Sequence, residues 1–345
     1  TTKLAPILSD YFVMEGHFPE GIAVHTCAVQ AARSTGDRAT EAVELNSLGA
    51  FYLWQGRYQE AGGILSQALV LHRESGDLRG QDATLNNLGL LNFQLGRDEE
   101  AAGQYREALA LSRQASDESS MARTLNNLGL LEQRRGRYRD ATGYLREAVA
   151  LSRRFENPMD EAFALANLGV VSTREGRYPQ AEEHLQRALT LARQVGSPAC
   201  EAFALSSLAA VDRRQSRYER AGDRDREALA LCRRSGDQTG EAHALNGLGD
   251  LSLATARPGQ ARTRYASALR LARQIGDKAE EASAHDGLGH VWQALADPGK
   301  ARRRWEQALA IYAGIGLPEA DQVRAQLSAL PAADASGDRP LRQSR

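Results

Sequence analysis

Lysine is nearly missing from this chain. Three are present, Lys3, Lys278 and Lys300, and arginine supplies the rest of 43 basic residues, set against 44 acidic ones. The formal net charge of −1 removes any global drive toward nucleic acid or a membrane surface. Cysteine is scarce as well. Cys27, Cys200 and Cys232 are odd in number, far apart and without metal-ligand spacing, so they read as reduced cytosolic thiols and not as a disulfide framework. No apolar run is long enough to cross a bilayer. The opening residues, Thr1, Thr2, Lys3 and Leu4, lack a Met and any signal-peptide pattern, which reads as a cytoplasmic chain cut from a longer one.

Catalytic motifs are absent too. The seven histidines make no HExxH or His-x3-His pair, and His285 and His290 stand five apart, a poor spacing for one metal on one helix face. His285 takes a core position held by Leu in the other repeats and reads as a packed residue. No Walker loop and no strand followed by a glycine fingerprint occur, and no alternating strand pattern is present. No cofactor, no metal and no catalytic residue is expected. Asp212 and Asp225 sit near an expected helix–helix interface with nothing else converging on them. They read as a locally weak repeat, a place for the array to hinge.

What the chain does have is a period. Leu-Gly recurs at 48–49, 88–89, 128–129, 168–169, 248–249 and 288–289, with Leu208-Ala209 filling the remaining step of forty. Gly-Arg-Tyr follows at 56–58, 136–138 and 176–178, and decays to Ser216-Arg-Tyr, Ala256-Arg-Pro and Ala296-Asp-Pro. Alanine recurs at 61, 101, 141, 181, 221, 261 and 301, and again seven residues later. Fixed self-similarity of this kind marks a stacked array. Each period reads as two helices. Apolar residues at i, i+3 and i+4 form the first, the Gly-Arg-Tyr turn follows, and the second carries residues such as Ala101, Tyr105 and Ala108 on one face. Gly76-Asp77, Gly236-Asp237 and Gly276-Asp277 close one hairpin and supply an Asp N-cap to the next.

The pattern of Leu48-Gly49, Gly56-Arg-Tyr58, Ala61, Leu65 and Ala68-Leu69 resembles the tetratricopeptide repeat (TPR). The repeat here is longer than usual for that family, with the extra length expected at the hairpin-to-hairpin junction. The resemblance implies an all-α, right-handed solenoid of about eight hairpins, occupying about residues 1–36, 37–76, 77–116, 117–156, 157–196, 197–236, 237–276 and 277–316. An amphipathic capping helix is expected over 317–330, closing a single domain 1–330, with a disordered tail 331–345.

In such a solenoid the first helices line a concave groove. With Leu85, Leu88 and Gly89 at the buried centre and about 100° per residue, the opposite line holds Asn87 and Leu90. The next repeats place Arg123, Asn127, Leu130 and Arg134 there, then Phe163, Asn167, Val170 and Arg174, then Phe203 and Arg214. Asn87, Asn127 and Asn167 form an amide row able to hold an extended peptide backbone. Arg134, Arg174 and Arg214 form a row of cations suited to carboxylates or phosphates. The apolar residues between them could seat side chains. Two readings stay open for each row: ligand contact, or bonding to neighbouring helices and local acids. Asn86 and Asn126 read as flanking the core and bonding neighbours.

The opening residues 4–17, together with His25-Thr-Cys-Ala and Ala31-Ala-Arg-Ser-Thr-Gly-Asp-Arg38, are similar to the C-terminal TPR region of actinobacterial STAND-type regulators, the Streptomyces antibiotic regulatory protein class among them. That resemblance implies a sensor module. It would bind a partner protein or peptide and bias an upstream NTPase and DNA-binding part of the same polypeptide. A free-standing adaptor or chaperone-type scaffold is the second reading. Nucleic-acid binding through the arginine row is the third, disfavoured by the charge balance. A homodimer through exposed apolar residues such as Trp54 is a further possibility, and no membrane partner is expected.

Overall fold

The computed structural model describes Phe12 and residues 17–330. Residues 1–11 and 13–16 of the opening repeat and the 331–345 tail, expected to be disordered, lie outside the described residues. The rest is helix after helix. α1 (Phe18–Thr35) completes the opening half-repeat. Seven full hairpins follow: α2 (Arg38–Trp54) with α3 (Tyr58–Ser75), α4 (Leu78–Gln94) with α5 (Asp98–Gln114), α6 (Glu118–Arg134) with α7 (Tyr138–Arg154), and α8 (Pro158–Arg174) with α9 (Tyr178–Val195). Then come α10 (Pro198–Arg214) with α11 (Tyr218–Ser235), α12 (Gln238–Ala254) with α13 (Pro258–Ile275), and α14 (Lys278–Ala294) with α15 (Pro298–Gly314). The short α16 (Glu319–Ala329) closes the end of the array, its Ala320 and Val323 buried in the same cluster as Trp305 and Tyr312.

Local chemistry sets these boundaries. At the start of each first helix a side-chain oxygen accepts the backbone N–H three residues on: Asp77 from Gly80, Asp117 from Ser120, Asn157 from Asp160 and Ser197 from Cys200. Such caps contribute about 1 kcal/mol apiece. Each turn needs one left-handed residue. Gly56 and Gly96 supply it at φ +71° and +73°, while Ser216, Ala256 and Ala296 adopt the same conformation at 56–58° without glycine's freedom. The junctions between hairpins hold only two or three residues, such as Gly76-Asp77. The expected junctional insertion is therefore helical: both helices of a repeat run to 17 or 18 residues.

The Leu-Gly anchor is a steric device. A side chain added at Gly89 would lie 2.4 Å from the Tyr105 ring, at Gly169 2.4 Å from Leu185, and at Gly289 2.3 Å from Trp305. The large residue of the second helix fills the space that the glycine leaves. In the fifth hairpin that large residue is Asp225, which is smaller, and Ala209 replaces the glycine. This hairpin is not the loosely packed place the sequence suggested. Asp212 and Asp225 are both fully buried. Arg213 Nη1 donates to Asp225 Oδ2 at 2.5 Å, Arg224 Nη1 to Asp212 Oδ2 at 2.5 Å, and Arg217 Nε lies 2.7 Å from Asp212 Oδ1. Two crossed ion pairs thus bridge α10 and α11 where other hairpins use Leu, Tyr or Trp. Burial still outweighs Arg213 at Asp225, whose pKa is raised to about 7.

Successive first helices pack on one another, α2 on α4, α4 on α6 and so on to α14, which puts them on the inner side of the curve. The curve is tight enough to return on itself. A side chain on Gly56 would lie 3.1 Å from the Ile275 carbonyl oxygen, and one on Gly96 would lie 2.9 Å from Ile315 Cα. Gly56 to Ile275 and Gly96 to Ile315 are the same 219-residue step, about five and a half repeats. The first coil of the array therefore seats its hairpin turns on the junctions of the last, and the groove becomes an enclosed lumen.

Candidate functional site

The lumen is lined by the first helices, and its character changes along the array. Phe163 on α8 and Phe203 on α10 are half-buried and packed on the main core, and Leu130 on α6 and Val170 on α8 are half-buried too. Leu90 lies one repeat earlier against the second core cluster.

The asparagine row is not free. Asn87 Nδ2 donates to Asn46 Oδ1 at 3.0 Å, Asn127 to Asn86 Oδ1 at 3.3 Å, and Asn167 to Asn126 Oδ1 at 2.9 Å. Asn86 Nδ2 in turn donates to Thr124 Oγ1 at 2.8 Å and to the Asp82 carbonyl oxygen. The two adjacent asparagines of one repeat are thus the two halves of a lateral amide ladder, one reaching back and one accepting from ahead. Asn167 is buried outright, at 4% exposure, while Asn87 and Asn127 keep part of their surface open. Of the two readings open for this row, the bonds realise the lateral one, each amide reaching the preceding first helix.

The arginines are not an equivalent row either. Arg134 lies with its guanidinium 3.5 Å above the Phe93 ring, donates to the Phe93 carbonyl oxygen at 2.5 Å and pairs with Asp98. Its side chain is only 9% exposed. It is therefore not available as a ligand-binding cation in this structure. Arg174 pairs with Glu319 of α16 at 2.7 Å, beside the place where the coils meet. Arg214 is exposed, with no carboxylate partner among the described residues. Arg123 is exposed and donates to Ser120 Oγ at 3.1 Å. It faces Asp82, whose pKa burial raises to about 6 against the opposing effects of Ser120 and Arg123.

The far wall escaped the sequence reading. A cleft of about 190 Å³ lies where the coils meet, with Phe93, Leu130, Arg134 and Arg174 on one side and Asp277, Lys278, Ile315, Leu317 and Glu319 on the other. Later in the array the lumen turns acidic. Tyr265 donates to Asp250 at 2.6 Å, and Asn246 to Glu280 at 2.8 Å. His243 Nδ1 lies 2.8 Å from Glu280, whose charge raises the imidazole pKa to about 9. Asp286 sits 3.6 Å from His290. Among the described residues no cluster of three or more His, Cys, Asp or Glu could hold a metal ion. No helix there is long and apolar enough to cross a membrane. Trp54 is about half exposed, stacked between Phe18 and Phe51 at ring distances of 6.2 and 5.2 Å.

The tetratricopeptide repeat model matches residues 39–114, 120–198 and 200–274, well over half of the chain. The chain belongs to the tetratricopeptide repeat family. Among solved structures, this TPR array is similar to the apo quorum sensor NprR of B. thuringiensis, at 15% identity and TM-score 0.62, covering 90% of this chain and 87% of that one. It is similar to the Rap conjugation gene regulator of plasmid pLS20 in complex with the Phr* peptide, at 13% identity and TM-score 0.65, covering 83% and 80%. It is also similar to a STAND protein with a TPR sensor from Pyrococcus horikoshii, at 16% identity and TM-score 0.57, covering 95% of this chain and 49% of that one. The TPR array thus spans about half the length of that STAND protein. At these identities the likeness is one of fold. No curated protein matches the chain.

Proposed function

We propose that this TPR array is a non-catalytic binding module that takes an extended peptide or protein segment in its lumen, and that it serves as a sensor within a larger signalling regulator. The observation that carries the reading is the enclosed inner face, with Phe163, Phe203, Leu130 and Val170 left half-open to it. Apolar side chains turned into a water-filled space are stabilised by a ligand that covers them, at about 1.5–3 kcal/mol for each large residue fully buried. The asparagine ladder supports the same reading in a modified form. With the amide N–H groups of Asn87 and Asn127 on neighbouring helices, their carbonyl oxygens remain as acceptors for peptide N–H groups. The regulator context draws on the likeness to the quorum sensor NprR and to the STAND protein's TPR sensor. Nucleic acid is disfavoured by the pairing of Arg134 with Asp98 and of Arg174 with Glu319.

The test is a selection of displayed heptapeptides against the purified array. Enriched sequences are expected to carry bulky apolar residues. Their affinity by calorimetry should drop at least about tenfold in Phe163→Ser/Phe203→Ser, following the apolar area no longer covered. A selection that enriches nothing, or peptides that bind the double variant as tightly, would sink the reading.

A further inference from the structure

The lumen is shut sideways where the first coil meets the last. The hairpin turns at Gly56 and Gly96 rest on Ile275 and Ile315. Asp98 Oδ2 stands 4.0 Å from where a side chain on Gly316 would begin. An ion pair crosses between coils among the described residues, Arg174 Nη2 to Glu319 Oε1 at 2.7 Å, joining α8 to the first turn of α16. Its arginine is 41% exposed. Water screens such a pair, so its hold is weak and readily reversed. Each hairpin packs on its sequence neighbours, so parting the coils unpacks no helix and can be spread as small rotations over five repeats. α16 itself stays anchored through Ala320 and Val323 whether or not its Glu319 is paired.

We propose that this seam is a reversible latch gating the lumen: with Arg174 on Glu319 the coils meet and the lumen is entered only along its axis, and with the pair broken the coils separate and the lumen opens sideways. The proposal rests on reading the lumen as the binding site and says how that site is regulated. The cleft between Leu130 and Leu317 adjoins the pair, so a bound segment reaching it touches both coils at once. Such a ligand has different contacts in the two states, which is the condition for shifting their balance.

The test needs no ligand. In a Cys27→Ser background, Ala210→Cys places a single accessible thiol on the lumen wall, since Cys200 and Cys232 are buried. Its reaction rate is compared for N-ethylmaleimide and for a maleimide on a polyethylene glycol of about 5 kDa. Arg174→Glu and Glu319→Arg should each raise the polymer's rate roughly fivefold, as expected for loss of an exposed pair and its replacement by like charges. The doubly reversed Arg174→Glu/Glu319→Arg should return it to the parent value. Spin labels on Arg97→Cys and Gln322→Cys, in the same Cys27→Ser background, should report a longer distance in each single variant and the parent distance in the double. Unchanged rates and distances in the single variants, or a double variant no closer to the parent than either single, overturn the latch. A failed peptide selection would leave this result standing, and a failed latch would leave the peptide reading standing.

Discussion

His285 makes the last hairpin sensitive to acid, and the size of the effect can be worked out. The equivalent residue is leucine in six earlier repeats, from Leu45 to Leu245. His285 is 1% exposed and lies between two guanidinium groups, Arg273 Nη2 at 3.1 Å from Nε2 and Arg304 Nη1 at 3.3 Å from Nδ1. A neutral imidazole has one acceptor nitrogen, so it can satisfy only one of them. Burial first, then Arg304 and Arg273, push its pKa down to about 4. Below about pH 6.5 the unfolded chain takes up a proton that the folded chain refuses until about pH 4. The stability is therefore complete above that window and lost as pH falls through it, by up to about 3 kcal/mol. His285→Leu should remove this loss while leaving stability at pH about 7.5 within ~1 kcal/mol, since leucine fits the same place elsewhere in the array. Urea unfolding followed by fluorescence reads the right hairpin, because Trp292 and Trp305 lie on α14 and α15; Trp54→Phe removes the other signal. Other groups titrate in both proteins, so the difference between the two pH profiles isolates His285. Parallel profiles between pH about 7.5 and 4.5 would refute the reasoning.

Three further outcomes follow from the packing. Gly169→Ala should lower stability by about 1–3 kcal/mol and Leu185→Ala by about 2–5 kcal/mol, with the double variant losing less than the two combined, as judged by thermal unfolding. Ala256→Gly and Ala296→Gly should each raise stability by about 0.5–1 kcal/mol, because both residues sit at positive φ; unchanged midpoints would contradict this. Arg213→Met should cost about 3 kcal/mol by leaving Asp225 buried without its partner. Adding Asp225→Leu and Ala209→Gly recreates the arrangement of Gly169 and Leu185 and should restore most of that loss in a urea titration.

Much of this architecture can be read from the letters alone, because each repeat encodes its own hairpin. The Leu-Gly anchor, the left-handed turn residue and the Asp cap act over a few residues, and forty-residue spacing brings them back in register. The site was harder. A helical wheel assigns faces to one helix, whereas the arc holding Asn87 and Asn127 is shared with the preceding first helix. How many repeats make a coil depends on small rotations between hairpins, and no residue pattern states them. The arginines show the limit most clearly. Arg134, Arg174 and Arg214 share one register, but Arg134 finds Phe93 and Asp98 behind it, where Arg174 finds Gln133 and Tyr138 and Arg214 finds Thr173 and Tyr178. Their different fates are decided by residues in the preceding repeat.

The half-integer return of the coil turns chain length into a setting. Removing one whole repeat between Arg174 and Glu319 would leave every remaining hairpin with a proper neighbour, and the turn at Gly56 would simply meet Ile315 in place of Ile275. The latch would not survive the same edit. The place opposite Glu319 would pass to Arg134, which Asp98 and Phe93 already hold. The array thus tolerates any count of repeats as a stack, but only one count as a closed device.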